Sequence, residues 1–186
     1  MALKTSKPML FVVVLIMSFK AWGDERLLSG SEIEVEDGDT LLIQFKNEVK
    51  RIQLAGIDAP ENSENPKFKV DEQRTGLDHD SLMSLGIIST EYLRKQIAGE
   101  ERFKLHFQLD NLDRYGRIMG ELYTEEGRSI NRQMVKDGYA IPVKSQSSGT
   151  LKDYVELQRL SRKERAGLWG LLPKPTSLWA GLSNTQ

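Results

Sequence analysis

The chain has 186 residues, with 26 basic and 27 acidic side chains, a formal net charge of −1, two histidines and no cysteine. Without cysteine it has no disulfide framework and no thiolate ligand, so a metal would have to be held by oxygen or histidine, and with only His79 and His106 a histidine-rich zinc centre is not expected. The charge balance excludes nucleic-acid binding by bulk attraction, although a local basic face is still open to it.

At the N-terminus, Lys4 and Lys7 precede an apolar run from Met9 to Met17, and Ala21-Trp22-Gly23 places small residues where a signal peptidase reads. The run falls short of the about 20 apolar residues that span a bilayer comfortably. Residues 1–23 therefore read as a secretory signal cleaved after Gly23, giving a secreted or periplasmic protein with no stable membrane association. Lys20 sits where such segments are usually uncharged, and an uncleaved anchor is the alternative reading. Residues 24–186 suffice for one domain with a proper core. Charge is uneven along them: from Arg128 onward ten basic residues face four acids.

Strands are predicted at Ile33 to Glu36, Leu41 to Phe45, Val49 to Ile57, Phe103 to Leu109 and Ile118 to Tyr123. Lys46-Asn47 is a polar break that suits a hairpin between the second and third. Glu36-Asp-Gly-Asp-Thr40 and Gly56-Ile-Asp-Ala-Pro-Glu61 flank that hairpin. An antiparallel pair returns its ends to one place, so Asp37, Asp39, Asp58 and Glu61 are expected to converge into an oxygen cluster suited to Ca²⁺. Each acidic stretch alone reads as an ordinary turn, and it is their placement at opposite ends of one hairpin that favours a site. In Phe103 to Leu109 apolar and polar residues alternate, which puts His106 on the solvent side.

Helices are predicted at Ile87 to Ala98, from Ser129 to Asp137, and from Thr150 to the basic run ending at Arg165, with Gly167-Leu-Trp169 closing the last. Residues 62–85 read as a long polar loop in which Asp78-His79-Asp80 is either a second metal patch or solvated surface. Residues 173–186 read as a loose tail beyond a domain spanning 24–172. Five strands interleaved with one helix and followed by two more predict an α+β fold. The economical choice is a five-stranded oligonucleotide-binding barrel with about three packed helices.

Taken in order, Asp37-Gly-Asp-Thr40, Ile57-Asp-Ala-Pro-Glu61, Asp113-Arg-Tyr-Gly-Arg117, Ile130-Asn131 with Val135-Lys-Asp-Gly138, and the closing Gly-Leu-Trp169 resemble the staphylococcal nuclease (thermonuclease) family. The resemblance covers Ile33 to Trp169. It implies a Ca²⁺-dependent phosphodiesterase acting outside the cytoplasm. Asp39 and Asp58 would be direct carboxylate ligands, joined by the main-chain oxygen of Ala59, with Asp37 and Thr40 in the surrounding shell. Glu61 would hold the attacking water, and Arg117 would bind the scissile phosphate. Independently of the family, phosphodiester hydrolysis builds charge on phosphoryl oxygens, for which a divalent ion and arginine forks are the natural stabilisers. The Asp113 to Arg117 turn would present Arg114 and Arg117 together.

Two departures stand out. The family's second arginine is replaced by Gln53, which supplies neither charge nor a bidentate fork. Arg51 lies two residues earlier on the same strand face, about 7 Å away, and is the candidate substitute. The family's base-stacking tyrosines fall on Lys144 and Gln146, leaving Lys144 as a substrate contact and Tyr115 or Tyr139 as stacking surfaces. The expected function is a nuclease cutting DNA and RNA, single strands preferred, as a monomer. The alternative is a catalytically weakened relative that binds nucleic acid or another partner through the same barrel.

Overall fold

The computed structural model describes residues 24–113, 115–143 and 151–182. The expected signal segment, Arg114 and Lys144 lie outside them. The strands are β1 (Asp24–Ser29), β2 (Ile33–Val35), β3 (Thr40–Phe45), β4 (Glu48–Leu54), β5 (Ile57–Asp58), β6 (Arg102–Leu112), β7 (Ile118–Thr124) and β8 (Ile141–Pro142). The helices are α1 (Pro66–Thr75), α2 (His79–Ala98), α3 (Ile130–Lys136), α4 (Leu151–Lys163), α5 (Leu168–Leu171) and α6 (Pro173–Trp179).

Six strands form one curled mixed sheet in the order β1-β6-β7-β4-β3-β2, and β5 pairs with β8. Its pairings are antiparallel except β4 with β7, which run parallel and bring the two site-bearing strands side by side. This is the α+β architecture of an oligonucleotide-binding barrel, with more strands than the five expected. β1, which pairs along β6, and the short β8 carry no strong alternation of their own. The expected strand from Val49 to Ile57 is interrupted at Ala55-Gly56, where Gly56 takes φ 78° and the chain turns toward the site.

The hairpin has the expected form. Phe45 pairs with Glu48 and Thr40 with Gln53, so Lys46-Asn47 is a two-residue turn. Inside the barrel, Leu41, Ile43, Ile52, Leu54, Phe103, Leu105 and Leu122 are fully buried. His106 lies on the opposite face of β6 and pairs with Glu25 Oε2 at 3.0 Å.

Two expectations are corrected. Residues 62–85 are mostly helical. Asn65 caps α1 by accepting from the Phe68 N–H at 2.9 Å, and Asp78 caps α2 by accepting from the Ser81 N–H at 2.8 Å and the Ser81 hydroxyl at 2.8 Å. Asp78 thus serves a helix start, not a second metal patch, and α2 begins eight residues before Ile87. The polar composition hid α1 because the helix buries only Phe68 and Asp71. Nor is the C-terminal stretch loose over its described part: α6 packs Trp179, 1% exposed, into a second core with Phe68, Leu82, Leu85 and Leu168.

Candidate active site

The two acidic turns meet. The Asp39 Oδ2 accepts from the Ala59 N–H at 2.7 Å, and the Asn62 amide donates to the Glu36 carbonyl at 2.8 Å. Within the first turn, Asp37 Oδ1 accepts from the Asp39 N–H at 3.0 Å. The approach is close because the turns are backed by small residues on and against α2. A Cβ at Gly38 would lie 2.3 Å from Ser89 Oγ and 2.7 Å from the Ala59 Cβ, and one at Gly86 would lie 1.9 Å from the Glu61 carbonyl oxygen.

Arg117 is brought in by its own turn. Asp113 Oδ1 accepts from the N–H groups of Tyr115 and Arg117, both at 2.8 Å, and its Oδ2 accepts from Arg117 Nε at 2.7 Å. Burial works against the Asp113 carboxylate, but these donors outweigh it and hold the group below the usual carboxylate range. The fixed guanidinium then donates through Nη1 to Thr40 Oγ1 at 3.1 Å. The Thr40 hydroxyl stands 3.1 Å from Asp39 Oδ1 and 3.2 Å from Gln53 Oε1. Gln53 is buried, and its side chain meets the same hydroxyl as Arg117. Gln53, Asp113 and Arg117 line a cleft of about 750 Å³ together with Asp58, Lys67 and Tyr115, and Asp39 and Thr40 lie buried behind it.

Arg51 points away from this convergence. Its Nε donates to Glu36 Oε2 at 2.8 Å and a second nitrogen pairs with Glu36 Oε1. Tyr115 is 56% exposed, with the Arg117 guanidinium over its ring, 5.4 Å from the centroid. Tyr139, the other stacking candidate, is corrected: its ring is stacked on Tyr92 at 3.8 Å within the helical layer.

The donor set suits a hard divalent cation. Asp39, Asp58 and Glu61 supply carboxylate oxygens, and Ala59 a carbonyl. Burial, then the charges of Asp37 and Asp58, raise the Asp39 carboxyl well above its ordinary range, with the Lys67 ammonium acting in the opposite direction. Burial likewise raises Asp58. Among the described residues, however, no three His, Asp or Glu side chains form a coordination sphere as they stand.

The sequence reading missed the group at their centre. Lys67 Nζ lies 2.8 Å from Glu61 Oε1, 3.1 Å from Asp58 Oδ1 and 3.1 Å from the Ala59 carbonyl oxygen. Burial opposes its charge, yet Asp58, Glu61 and Asp39 prevail and lift the ammonium above the ordinary lysine range. Glu61 is clamped from its other oxygen by the Asn65 amide at 2.6 Å. The signal for both was Asn65-Pro66, a helix start four residues after Glu61 that aims the first turn of α1 back at the acids.

The sequence profile described as staphylococcal nuclease homologue matches residues 51–170. An "uncharacterized endonuclease" of Escherichia coli is 29% identical over 153 residues, covering 82% of this chain and 84% of that protein. A "micrococcal nuclease" of Shigella flexneri is 27% identical over 176 residues, covering 90% of this chain and 87% of its own. In the Bacillus subtilis "endonuclease YhcR", 28% identical over 141 residues, the match takes up 11% of a much longer protein. With the profile extending over most of the chain and the acidic turns, the arginine turn and the barrel in their order, the chain belongs to the staphylococcal nuclease homologue family.

Proposed function

We propose that this chain is a calcium-dependent, sugar-nonspecific nuclease that hydrolyses phosphodiester bonds of DNA and RNA, prefers single strands, and works as a monomer outside the cytoplasm. The observation that carries the reading is the gathering of Asp39, Asp58, Glu61 and Arg117 into one bonded group: the Thr40 hydroxyl joins Arg117 to Asp39, the Ala59 N–H joins Asp39 to the second acidic turn, and Lys67 joins Asp58 to Glu61. The names of the relatives in Escherichia coli and Shigella flexneri agree with it.

When bound, the divalent ion supplies neutralisation of charge on the phosphoryl oxygens. Asp39, Asp58 and the Ala59 carbonyl would hold it, with Asp37 and Thr40 fixing the first turn around them. Glu61 orients the attacking water as a carboxylate acceptor. Arg117, locked by Asp113, meets the phosphate with a guanidinium that needs no reorganisation at the moment of reaction. Gln53 offers a hydrogen bond where a second charge would help, and Tyr115 offers an exposed ring on which a splayed base can stack. Stacking of this kind requires an unpaired base, which favours single strands.

Digestion of single-stranded DNA, duplex DNA and RNA in calcium and in chelator tests the reading. Cleavage is expected with calcium and none without it, and Asp39→Ala or Asp58→Ala should abolish activity in the same assay. Full activity in chelator would overturn the metal assignment. The extracytoplasmic part is tested by N-terminal sequencing of protein recovered outside the cytoplasm, which should begin at or near Asp24. A mature protein held in the membrane fraction with Met1 retained would support an anchor instead.

The uncharged Gln53 favours a second reading, a weakened member that binds nucleic acid without cutting it. That reading expects retention of single strands on the protein in calcium with no product even after long incubation.

A further inference from the structure

We propose that Lys67 is a tethered cation that competes with the divalent ion for the same oxygens, so that the metal affinity of this chain is set by the first turn of α1 as well as by the acidic turns. The inference rests on the calcium reading above and adds to it the residue that opposes loading.

The geometry is that of an ammonium with its valence filled. Its three donors meet three oxygens at 2.8–3.1 Å, those of Glu61, Asp58 and the Ala59 carbonyl, and Asp71 Oδ2 stands beyond at 3.7 Å. Two of the three are the oxygens that the family resemblance gives to the metal. A point within hydrogen-bond reach of all three holds one cation at a time, and a divalent ion drawn to it meets the repulsion of the ammonium as well as the attraction of the acids.

The tether makes the competition effective. Lys67 follows Pro66 at the start of α1, whose cap, Asn65, is itself bonded to Glu61. Phe68, fully buried in the second core, anchors the next residue. The backbone that carries the ammonium is therefore fixed on both sides, and the acids recruit it without ordering a loop. Loading the ion requires only that the flexible four-carbon stem turn outward, and it borders the cleft into which it would turn.

The test is calorimetric titration of calcium into the wild type, Lys67→Gln and Lys69→Gln, with thermal unfolding of each in chelator and in calcium. Gln keeps hydrogen-bond donors at position 67 while removing the charge, and Lys69, exposed on the same helix, controls for the change in net charge. Lys67→Gln should bind calcium roughly tenfold more tightly or better, and Lys69→Gln within about twofold of the wild type. In chelator Lys67→Gln should melt below the wild type, and calcium should raise its midpoint by more. Equal or weaker calcium binding by Lys67→Gln, with the wild type binding, overturns the inference and leaves the calcium reading standing. No calcium binding by any of the three overturns both. Should Lys67→Gln be unfolded in chelator, its folding is titrated with calcium instead. A folding midpoint at or above the wild-type dissociation constant counts against the competition.

Discussion

The Thr40 hydroxyl, buried behind the cleft, ties three site residues together: Arg117 donates to it, and Asp39 and Gln53 face it at 3.1 and 3.2 Å. A guanidinium at position 53 would therefore enter the cleft beside Arg117, toward the same phosphate. Losing one preorganised donor typically costs about 10²–10³ in rate, so Gln53→Arg should raise turnover by roughly 10² while leaving calcium affinity nearly unchanged. Steady-state kinetics alongside calcium titration checks both halves. Arg51→Ala should alter turnover by less than about threefold, because a rim ion pair with Glu36 is worth little and Arg51 does not face the cleft. A large loss in that variant would show that Arg51 leaves Glu36 during turnover. Asp113→Ala removes the acceptor of two backbone N–H groups and of Arg117 Nε. It should lower kcat by at least about tenfold at unchanged calcium affinity, since what is lost is the fixed orientation of the arginine.

At the scale of elements, α2 decides how closely the acidic turns can sit. Gly86 lets the helix surface touch the Glu61 carbonyl, where a methyl group would overlap backbone atoms that cannot move aside without moving Glu61. Gly86→Ala should therefore cost about 1–3 kcal/mol in denaturant unfolding, and should reduce activity in the molecules that remain folded. An unchanged midpoint would mean that α2 and the Glu61 turn separate freely. The helix α6 is the other element whose role exceeds its length. Arg74 of α1 donates to the Trp179 carbonyl at 2.8 Å, and the Trp179 ring fills the core beneath the first turn of α1. Trp179→Ala should cost about 3–5 kcal/mol, measured by the same unfolding experiment. Because α1 carries Lys67 and the Asn65 clamp on Glu61, that substitution should also loosen the site, visible as faster amide exchange in residues 61–75.

Over the whole molecule, two cores hold the cleft between them. The barrel core positions Asp39, Gln53 and Arg117 through the β3–β4–β7 ladder, and the helical core positions Lys67 and Asn65. Asn131, fully buried, joins the barrel to α3 by accepting from the Leu122 N–H and donating to the Ala55 and Gly120 carbonyls, so the turn leading to Asp58 is tied to the sheet from behind. The sequence by itself determined what local chemistry determines: the alternation that makes β6, the two-residue hairpin turn, the caps of α3, and the acidic and arginine turns whose order marks the family. These are statements about neighbours in the chain, where period, turn residues and capping act within a few positions. Tertiary structure alone decided the rest. The α1 and α6 helices have little apolar periodicity of their own and exist because Phe68 and Trp179, 111 positions apart, find each other. Tyr139 is turned from a stacking surface into a partner of Tyr92, and Arg51 from a spare catalytic cation into a partner of Glu36, by contacts that no spacing announces. Lys67 reads as one more charge on a polar stretch until folding sets its ammonium among the oxygens of Asp58, Ala59 and Glu61. A buried charge takes its meaning from whatever surrounds it in three dimensions.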